Sequence, residues 1–341
     1  MINTKFETWI MGLLSLCLAA CGSSTASGDD EPPVPVPIGF STDIVRQEGV
    51  QTKGVAITDI SDMYVFASYT GANDWSPANT PNFMYKQLME KAAGGEWTYT
   101  PIRYWPAARD KISFFAYAPT TLTGIVPSAV DKQGPQLTYT LPATESARQD
   151  LLAGSCLNKT NESGTVAFTM KHALTQVKFK IKNDEASSIN VVLTGLEILM
   201  PGTGTLCFED ATTSSGKTII WTSYGAQATL TADVKLGSDK SISLDGTDQE
   251  AAAFFLLPLE NPSSAVTLRL TYTLKRINPA EEPVTLIVPV SPPATPAWMP
   301  GTSISYTIAV KDDRLEVEEV TSISDFTEGD TGVTGGDITA T

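Results

Sequence analysis

Residues 177–182 read Val-Lys-Phe-Lys-Ile-Lys, an order that no amphipathic helix can use. At 3.6 residues per turn the lysines would spread around the axis, whereas an extended chain turns every second side chain to the same side. The segment is therefore expected as a strand with one apolar face and one lysine face turned to water. The same period of two recurs where Val266, Leu268, Leu270, Tyr272 and Leu274 alternate with Thr267, Arg269, Thr271, Thr273 and Lys275. It recurs again where Ile304, Tyr306, Ile308 and Val310 alternate with Ser303, Ser305, Thr307 and Ala309. Shorter β-rich runs, at residues 63–69, 112–118, 137–141, 165–170, 190–193, 253–257 and 284–290, are bounded by Gly, Pro, Asn or Asp. Many short strands separated by turn residues predict β-sandwiches, and no repeat of about 20–50 residues points to a solenoid or propeller. At about 100–200 residues per domain, 341 residues make two domains. The polar run at 158–164, Asn-Lys-Thr-Asn-Glu-Ser-Gly, is suitable linker chemistry and places their boundary near Ser163. Residues 83–93 have a helix-like composition that periodicity alone does not resolve.

Composition narrows the chemistry. Lys plus Arg is 23 against 38 Asp plus Glu, a net charge of −15, which is the wrong sign for a nucleic-acid footprint. A hydrophobic share of 42% with 18% charged residues is that of a folding chain. One histidine and four cysteines leave little for a transition-metal site or a histidine-based triad. The chain has no HExxH, CxxC, glycine-lysine phosphate loop or GxSxG, so the sequence nominates no catalytic residue, cofactor or metal site, and an enzyme is not expected. Asp29-Asp30-Glu31, Asp312-Asp313 and Glu316 with Glu318-Glu319 lack EF-hand spacing and read as solvated acidic segments. His172, at the entry to the alternating strand, reads as a packed or capping histidine. Trp75, Trp97, Trp105, Trp221 and Trp298 fit buried sandwich aromatics. A planar row of them exposed on one loop face would instead mark a glycan-binding module.

The amino-terminal residues are an address. Lys5 precedes the uncharged apolar run Trp-Ile-Met-Gly-Leu-Leu-Ser-Leu-Cys-Leu-Ala-Ala at 9–20, which has signal-peptide length and is too short to span a bilayer comfortably. It ends in Leu18-Ala19-Ala20-Cys21-Gly22, which resembles a bacterial lipobox and makes Cys21 the candidate lipidation site. Gly22, rather than Asp, follows that cysteine, so an outer-membrane destination is expected. The segment after it is small, acidic and then proline-rich, and reads as an extended tether. The expected organisation is a signal peptide at 1–20, a flexible tether at 21–40, sandwich domains at 41–163 and 164–326, and a polar tail at 327–341. Cys156 and Cys207 would then share an oxidising compartment that permits a disulfide, though spacing does not decide whether one forms.

Two long aromatic blocks carry a family likeness. Glu96-Trp97-Thr98-Tyr99-Thr100-Pro101-Ile102-Arg103-Tyr104-Trp105-Pro106, followed by Lys111-Ile112-Ser113-Phe114-Phe115-Ala116-Tyr117-Ala118-Pro119, resembles the amino-terminal signature of the fimbrillin family, the type V pilins. Asp150-Leu151-Leu152-Ala153, the run from Val166 to Leu174, Phe254-Phe255-Leu256-Leu257-Pro258 and the run from Trp298 to Ile308 continue the likeness. Phe83-Met84-Tyr85 usually opens a strand in that family, which favours strand over helix there.

The resemblance implies two tandem transthyretin-like, Ig-like Greek-key β-sandwich domains in an all-β protein. It implies a surface-anchored or polymerising adhesive subunit of a fimbrium. Its partners would be other pilin subunits, the outer membrane through the lipid, and a host or bacterial surface ligand. Assembly by strand exchange would follow removal of the first strand by a trypsin-like protease. Here the candidate cut is after Arg46, giving a new start at Gln47, with Lys53 as the fallback. The candidate donor strand follows Lys311, where Leu315 and Val317 alternate with Glu316 and Glu318 and Val320 continues in shifted register. Phe326 follows Asp325 where the family often has Trp, which leaves stalk, tip and anchor roles open. A surface glycan-binding lipoprotein is the alternative outside the fimbrium.

Overall fold

In the computed structural model, which describes residues 34–44, 59–106, 109–208, 219–232, 241–312 and 314–324, the alternating segments are strands. The first half carries β1 (Phe40–Ile44), β2 (Asp62–Gly71), β3 (Met84–Lys91), β4 (Trp97–Thr98), β5 (Lys111–Ala118), β6 (Ile125–Pro127), β7 (Gln136–Thr140), β8 (Leu152–Lys159) and β9 (Val166–His172). Then come β10 (Thr175–Asn183), β11 (Ile189–Pro201), β12 (Thr203–Phe208), β13 (Ile219–Thr222), β14 (Gln227–Thr231), β15 (Ile242–Leu244) and β16 (Gln249–Leu256). β17 (Thr267–Arg276), β18 (Val284–Val290), β19 (Thr302–Val310) and β20 (Leu315–Ser324) complete the set. The protein is all-β. Within residues 83–93, ambiguous by composition, Met84–Lys91 form the strand β3.

Among the described residues the strands make four sheets. The first has the order β1-β9-β8-β5-β2-β3-β4, and a shorter one the order β13-β12-β7-β6. The other two run β16-β10-β19-β20 and β14-β11-β17-β18, with β15 on β11. β2 and β5 lie at the heart of the first sheet and are apolar on both faces. Met63, Val65, Ala67, Phe114 and Ala116 belong to one core, while Phe66, Phe115 and Tyr117 point into the other. Across that second face Phe115 meets Phe208 of the shorter sheet with centroids 5.2 Å apart. A strand covered on both sides reads as a continuous apolar run, which is why residues 112–118 show no alternation. In the later sheets Val177, Phe179, Ile181, Ile304, Tyr306 and Ile308 share a core with Val191, Leu193, Leu268, Leu270 and Tyr272.

Four details differ from the sequence reading. Strand β9 belongs to the first sheet, paired with β1 and β8, so the change of sheet falls at Ala173-Leu174 rather than near Ser163. Of the polar run at 158–164, Asn158 and Lys159 end β8 and Asn161–Ser163 form a short 3-10 helix before β9. β12 pairs with β7, from Thr203 opposite Thr140 to Cys207 opposite Gln136, so one sheet draws strands from both halves, and the described residues from Val36 onward form one compact unit. Residues 36–40, expected in the tether, are folded in: Ile38 and Phe40 are buried, because a prolyl-rich stretch can lie extended along a sheet edge where its missing N–H costs nothing. Lys178 is only 9% exposed, since β10 is an interior strand whose lysine side lies between neighbours' side chains.

Candidate strand-exchange site

The first described strand sits at a sheet edge. Leading into it, the Ile38 N–H donates to Arg103 O and the Trp105 N–H donates to Val36 O, each at 2.9 Å. The Tyr99 hydroxyl donates to Ile38 O at 2.9 Å. The Trp-rich block therefore holds this entry by its backbone. β1 then runs parallel to β9, with Phe40 opposite Val166 and Ile44 opposite Met170, and the Val166 N–H donates to Gly39 O at 2.8 Å. Its alternation is that of a half-buried strand: Phe40 and Ile44 are each 6% exposed, Asp43 is exposed. The Phe40 ring sits edge-on to Tyr99 at 5.4 Å and to Phe114 at 5.7 Å, and stacks with Phe168 at 6.2 Å. A seat lined by Phe114, Phe168, Val166 and Met170 is thus filled by a five-residue strand hydrogen-bonded, in this sheet, to β9 alone.

At the other end of the folded chain β20 is also an edge strand, antiparallel to β19 from Val310 opposite Leu315 to Thr302 opposite Ser324. Between Thr307–Glu319 and Ile308–Val317 the register shifts, leaving Glu318 as the extra residue of a bulge. The bulge explains why Val320 falls out of step with Leu315 and Val317 in sequence, yet all three pack half-buried against the core. Ion pairs bind the strand on its polar side. Lys182 meets Glu318 at 2.5 Å and Asp184 at 2.9 Å, and Lys311 meets Glu316 at 2.6 Å. The Glu318 and Asp184 carboxylates raise the Lys182 ammonium above its ordinary range. The hydrogen bond from Lys311 holds Glu316 below the usual carboxylate range.

A buried polar cluster, which the sequence reading missed, joins the halves. Arg148 donates from Nε to Pro142 O at 2.8 Å, and from Nη2 to Ala143 O at 2.6 Å and Thr231 O at 2.8 Å. Its guanidinium lies 4.8 Å from the Phe254 ring centroid. His172 is packed as expected, its Nδ1 2.6 Å from Asp150 Oδ2 with both side chains buried. No disulfide joins Cys156 and Cys207, which lie on β8 and β12 in different sheets. Asp312 pairs with Arg276 at 2.7 Å, so this carboxylate, like Glu316 and Glu318, is tied up in ion pairs. Trp75, Trp105 and Trp298 are buried, and the five tryptophans form no exposed row.

The Fimbrillin-like family matches residues 56–325 of this sequence. The chain belongs to that family. A curated relative, fimbrium subunit Fim1C of Phocaeicola vulgatus, is 29% identical over 224 residues, covering 59% of this chain. The match spans 58% of the relative's own length. The crystal structure of a fimbrial protein from Bacteroides vulgatus shares the fold, with a TM-score of 0.58 at 20% identity over 84% of this chain and 99% of that one. Within this fimbrillin-like chain, Leu315, Val317 and Val320 fall together on β20. Cys21, Arg46, Gln47, Lys53 and Phe326 lie outside the described residues, as do residues 50–57 and the segment Asp29-Asp30-Glu31. Arg46 follows β1 by two positions. What the sequence did not single out is β1 itself, whose only signal is the apolar spacing of Ile38, Phe40 and Ile44.

Proposed function

We propose that this chain is a structural subunit of a surface fimbrium, carried to the outer membrane as a lipoprotein on Cys21 and serving adhesion. It is cut after Arg46, β1 leaves, and an extended segment of a neighbouring subunit takes its seat. The observation that carries this reading is the setting of β1, a short edge strand just before Arg46 that fills an aromatic seat. Vacating that seat uncovers the β9 edge and a groove for three buried side chains, Ile38, Phe40 and Ile44. At about 1.5–3 kcal/mol each, their burial is worth roughly 5–9 kcal/mol as an upper estimate. An incoming strand recovers that energy together with the ladder, so polymerisation completes the fold. In the donor, Leu315 and Val317 have the two-residue spacing of Ile38 and Phe40, and β20 must first leave β19. On this reading the chain passes from a proposed amino-terminal sandwich to a carboxy-terminal one at the β9–β10 junction, within one compact unit whose β7–β12 sheet they share.

A second reading, an anchor or tip subunit that does not donate, is favoured by the full pairing of β20 with β19 in its own sheet. Mass-spectrometric mapping of the amino terminus of surface-displayed protein, with electron microscopy and an unboiled SDS gel, separates the two. A start at Gln47 with SDS-resistant ladders supports the polymerising subunit. Intact acylated Cys21 with monomers alone overturns it in favour of the anchor.

A further inference from the structure

A cleft of about 440 Å³ opens beside the edge strand β13 and is unrelated to either exchanged strand. Its walls include Ile219, Trp221, Tyr224, Glu260, Trp298 and Met299. The cleft is held in shape by backbone pairing, because Leu259 and Trp298 exchange both N–H to O bonds at 2.8 Å. Gly204 supports it from below: a Cβ at that position would stand 3.0 Å from Trp221 Cε3 and 3.4 Å from Leu257 Cδ1. The indole lies over the missing side chain, and the volume falls in the ordinary range for ligand sites, about 300–1,000 Å³.

The hydrogen-bonding inventory selects the ligand. Each aromatic hydrogen on the cleft is committed to the protein itself. Trp221 Nε1–H donates to Ala173 O at 2.7 Å, Tyr224 O–H to Pro258 O at 2.5 Å, and Trp298 Nε1–H to Tyr306 Oη at 2.8 Å. Burial pushes the Tyr224 phenol up to about 12, with Glu260 adding to the rise, so its proton stays in place. The remaining described wall residues, Ile220, Pro258, Leu259 and Pro300, carry no side-chain donor, and among the described residues no Lys, Arg, His, Ser, Thr, Asn or Gln lines the cleft. The described side chains therefore offer aromatic rings, aliphatic surface and, among the described residues, a single carboxylate acceptor, Glu260, which is exposed. An anion would meet no side-chain donor among them. A sugar, which presents hydroxyls in both roles, would find half of its side-chain partners missing. A cation on an alkyl stem fits the accessible walls: the stem against Met299 and Pro300, the head at Glu260 and the Trp221 and Tyr224 rings.

We propose that this cleft binds a lysine or arginine side chain presented by a basic partner protein. The partner is a different protein rather than a second copy, because the exposed Glu260 selects a basic surface and a chain of net charge −15 does not present one overall. This inference is independent of strand exchange and would hold for a stalk, tip or anchor subunit.

The test uses the full chain labelled with ¹⁵N-tryptophan. The probes are Nα-acetyl-lysine methylamide, its uncharged isostere Nα-acetyl-norleucine methylamide, and methyl glucoside. The lysine probe should shift the Trp221 and Trp298 indole N–H signals saturably. The norleucine probe should bind roughly tenfold more weakly or worse, as loss of a cation–π and ion-pair contact implies, and the glucoside should leave the signals in place. Glu260→Gln, at an exposed position, should leave the indole spectrum of the unliganded protein intact and weaken the lysine probe by a similar factor. Equal binding of norleucine, a response to the glucoside, an unchanged affinity in Glu260→Gln, or no saturable shift with the lysine probe would each overturn the assignment. Self-association in sedimentation that Glu260→Gln abolishes would overturn the choice of a different partner and assign the cleft to a second copy.

Discussion

If β1 is a strand built to leave, weakening its seat must open it without unfolding the rest, and Phe40→Ala measures that. The ring is 6% exposed and contacts three aromatic neighbours within 6.2 Å. Deleting such a side chain costs about 3–5 kcal/mol in a core that does not collapse around it. In its sheet β1 is hydrogen-bonded to β9 alone, so the loss should appear as local opening. At 1.4 kcal/mol per decade, about 3 kcal/mol raises the open population by roughly a hundredfold. The reporter is the Val166 amide, whose hydrogen bond to Gly39 O at 2.8 Å exists only while β1 is docked. Native-state hydrogen exchange at Val166 should accelerate by about that hundredfold, while amides of the central strand β5 keep the protection set by global unfolding. The reasoning fails if Val166 stays as protected as β5 and the urea midpoint falls by the whole amount, because β1 would then belong to the cooperative core and could not be surrendered.

Three further outcomes follow from the geometry. The Lys311 hydrogen bond lowers the Glu316 pKa, and a depressed carboxyl stabilises above its unfolded value of about 4.3 and loses that contribution as pH falls through the folded value. Acidification below about pH 4 should therefore loosen β20 before the sandwich unfolds, and β20 amide signals that do not move at pH 3 would contradict this. Burial pushes the Cys156 thiol up to about 11, and its Sγ–H donates to Ala167 O at 2.9 Å, so iodoacetamide at neutral pH should spare Cys156 in native protein and alkylate it in urea; native alkylation would refute the burial argument. Gly204→Val drives a side chain against Trp221 and Leu257. It should cost about 1–3 kcal/mol in urea melts and shift the Trp221 indole signal, and a wild-type midpoint would show that the indole can move aside.

The sequence was most legible where one strand face is buried and the local period decides. β18 coincides with the β-rich run at 284–290, and β17 and β19 begin and end within a residue or so of their alternating segments. Even the misfit of Val320 was information, since one extra residue is what the Glu318 bulge inserts. Long-range partners were not legible. Nothing local to residues 40–44 indicates a parallel ladder with residues 166–170, or that β7 pairs with β12. Nor does the chain announce that Arg148 gathers carbonyls from Pro142, Ala143 and Thr231, because a buried arginine is recognised by its acceptors, which sequence does not bring together.

The two ends of the folded chain are edge strands held by different forces. β1 is held chiefly by apolar burial in an aromatic seat, whereas β20 is half-buried and fastened by Lys182 and Lys311. Other edges are protected: β18 carries Pro289, which has no N–H to offer, and on β16 the Ala253 N–H donates to Glu145 Oε1 at 3.0 Å. Burial is insensitive to salt and ion pairs are screened by it, so the two ends should respond separately. Added salt should weaken the pairing of β20 and leave β1 seated, whereas cutting the chain after Arg46 severs β1 from the fold and leaves the β20 ion pairs unchanged. Under the proposed strand exchange, the groove would stay closed until cleavage while the proposed donor segment answered to ionic conditions. Exchange protection of β9 and β20, followed in parallel across a salt series before and after cleavage, would show the two ends moving independently; a common response would mean that a single cooperative unit holds both.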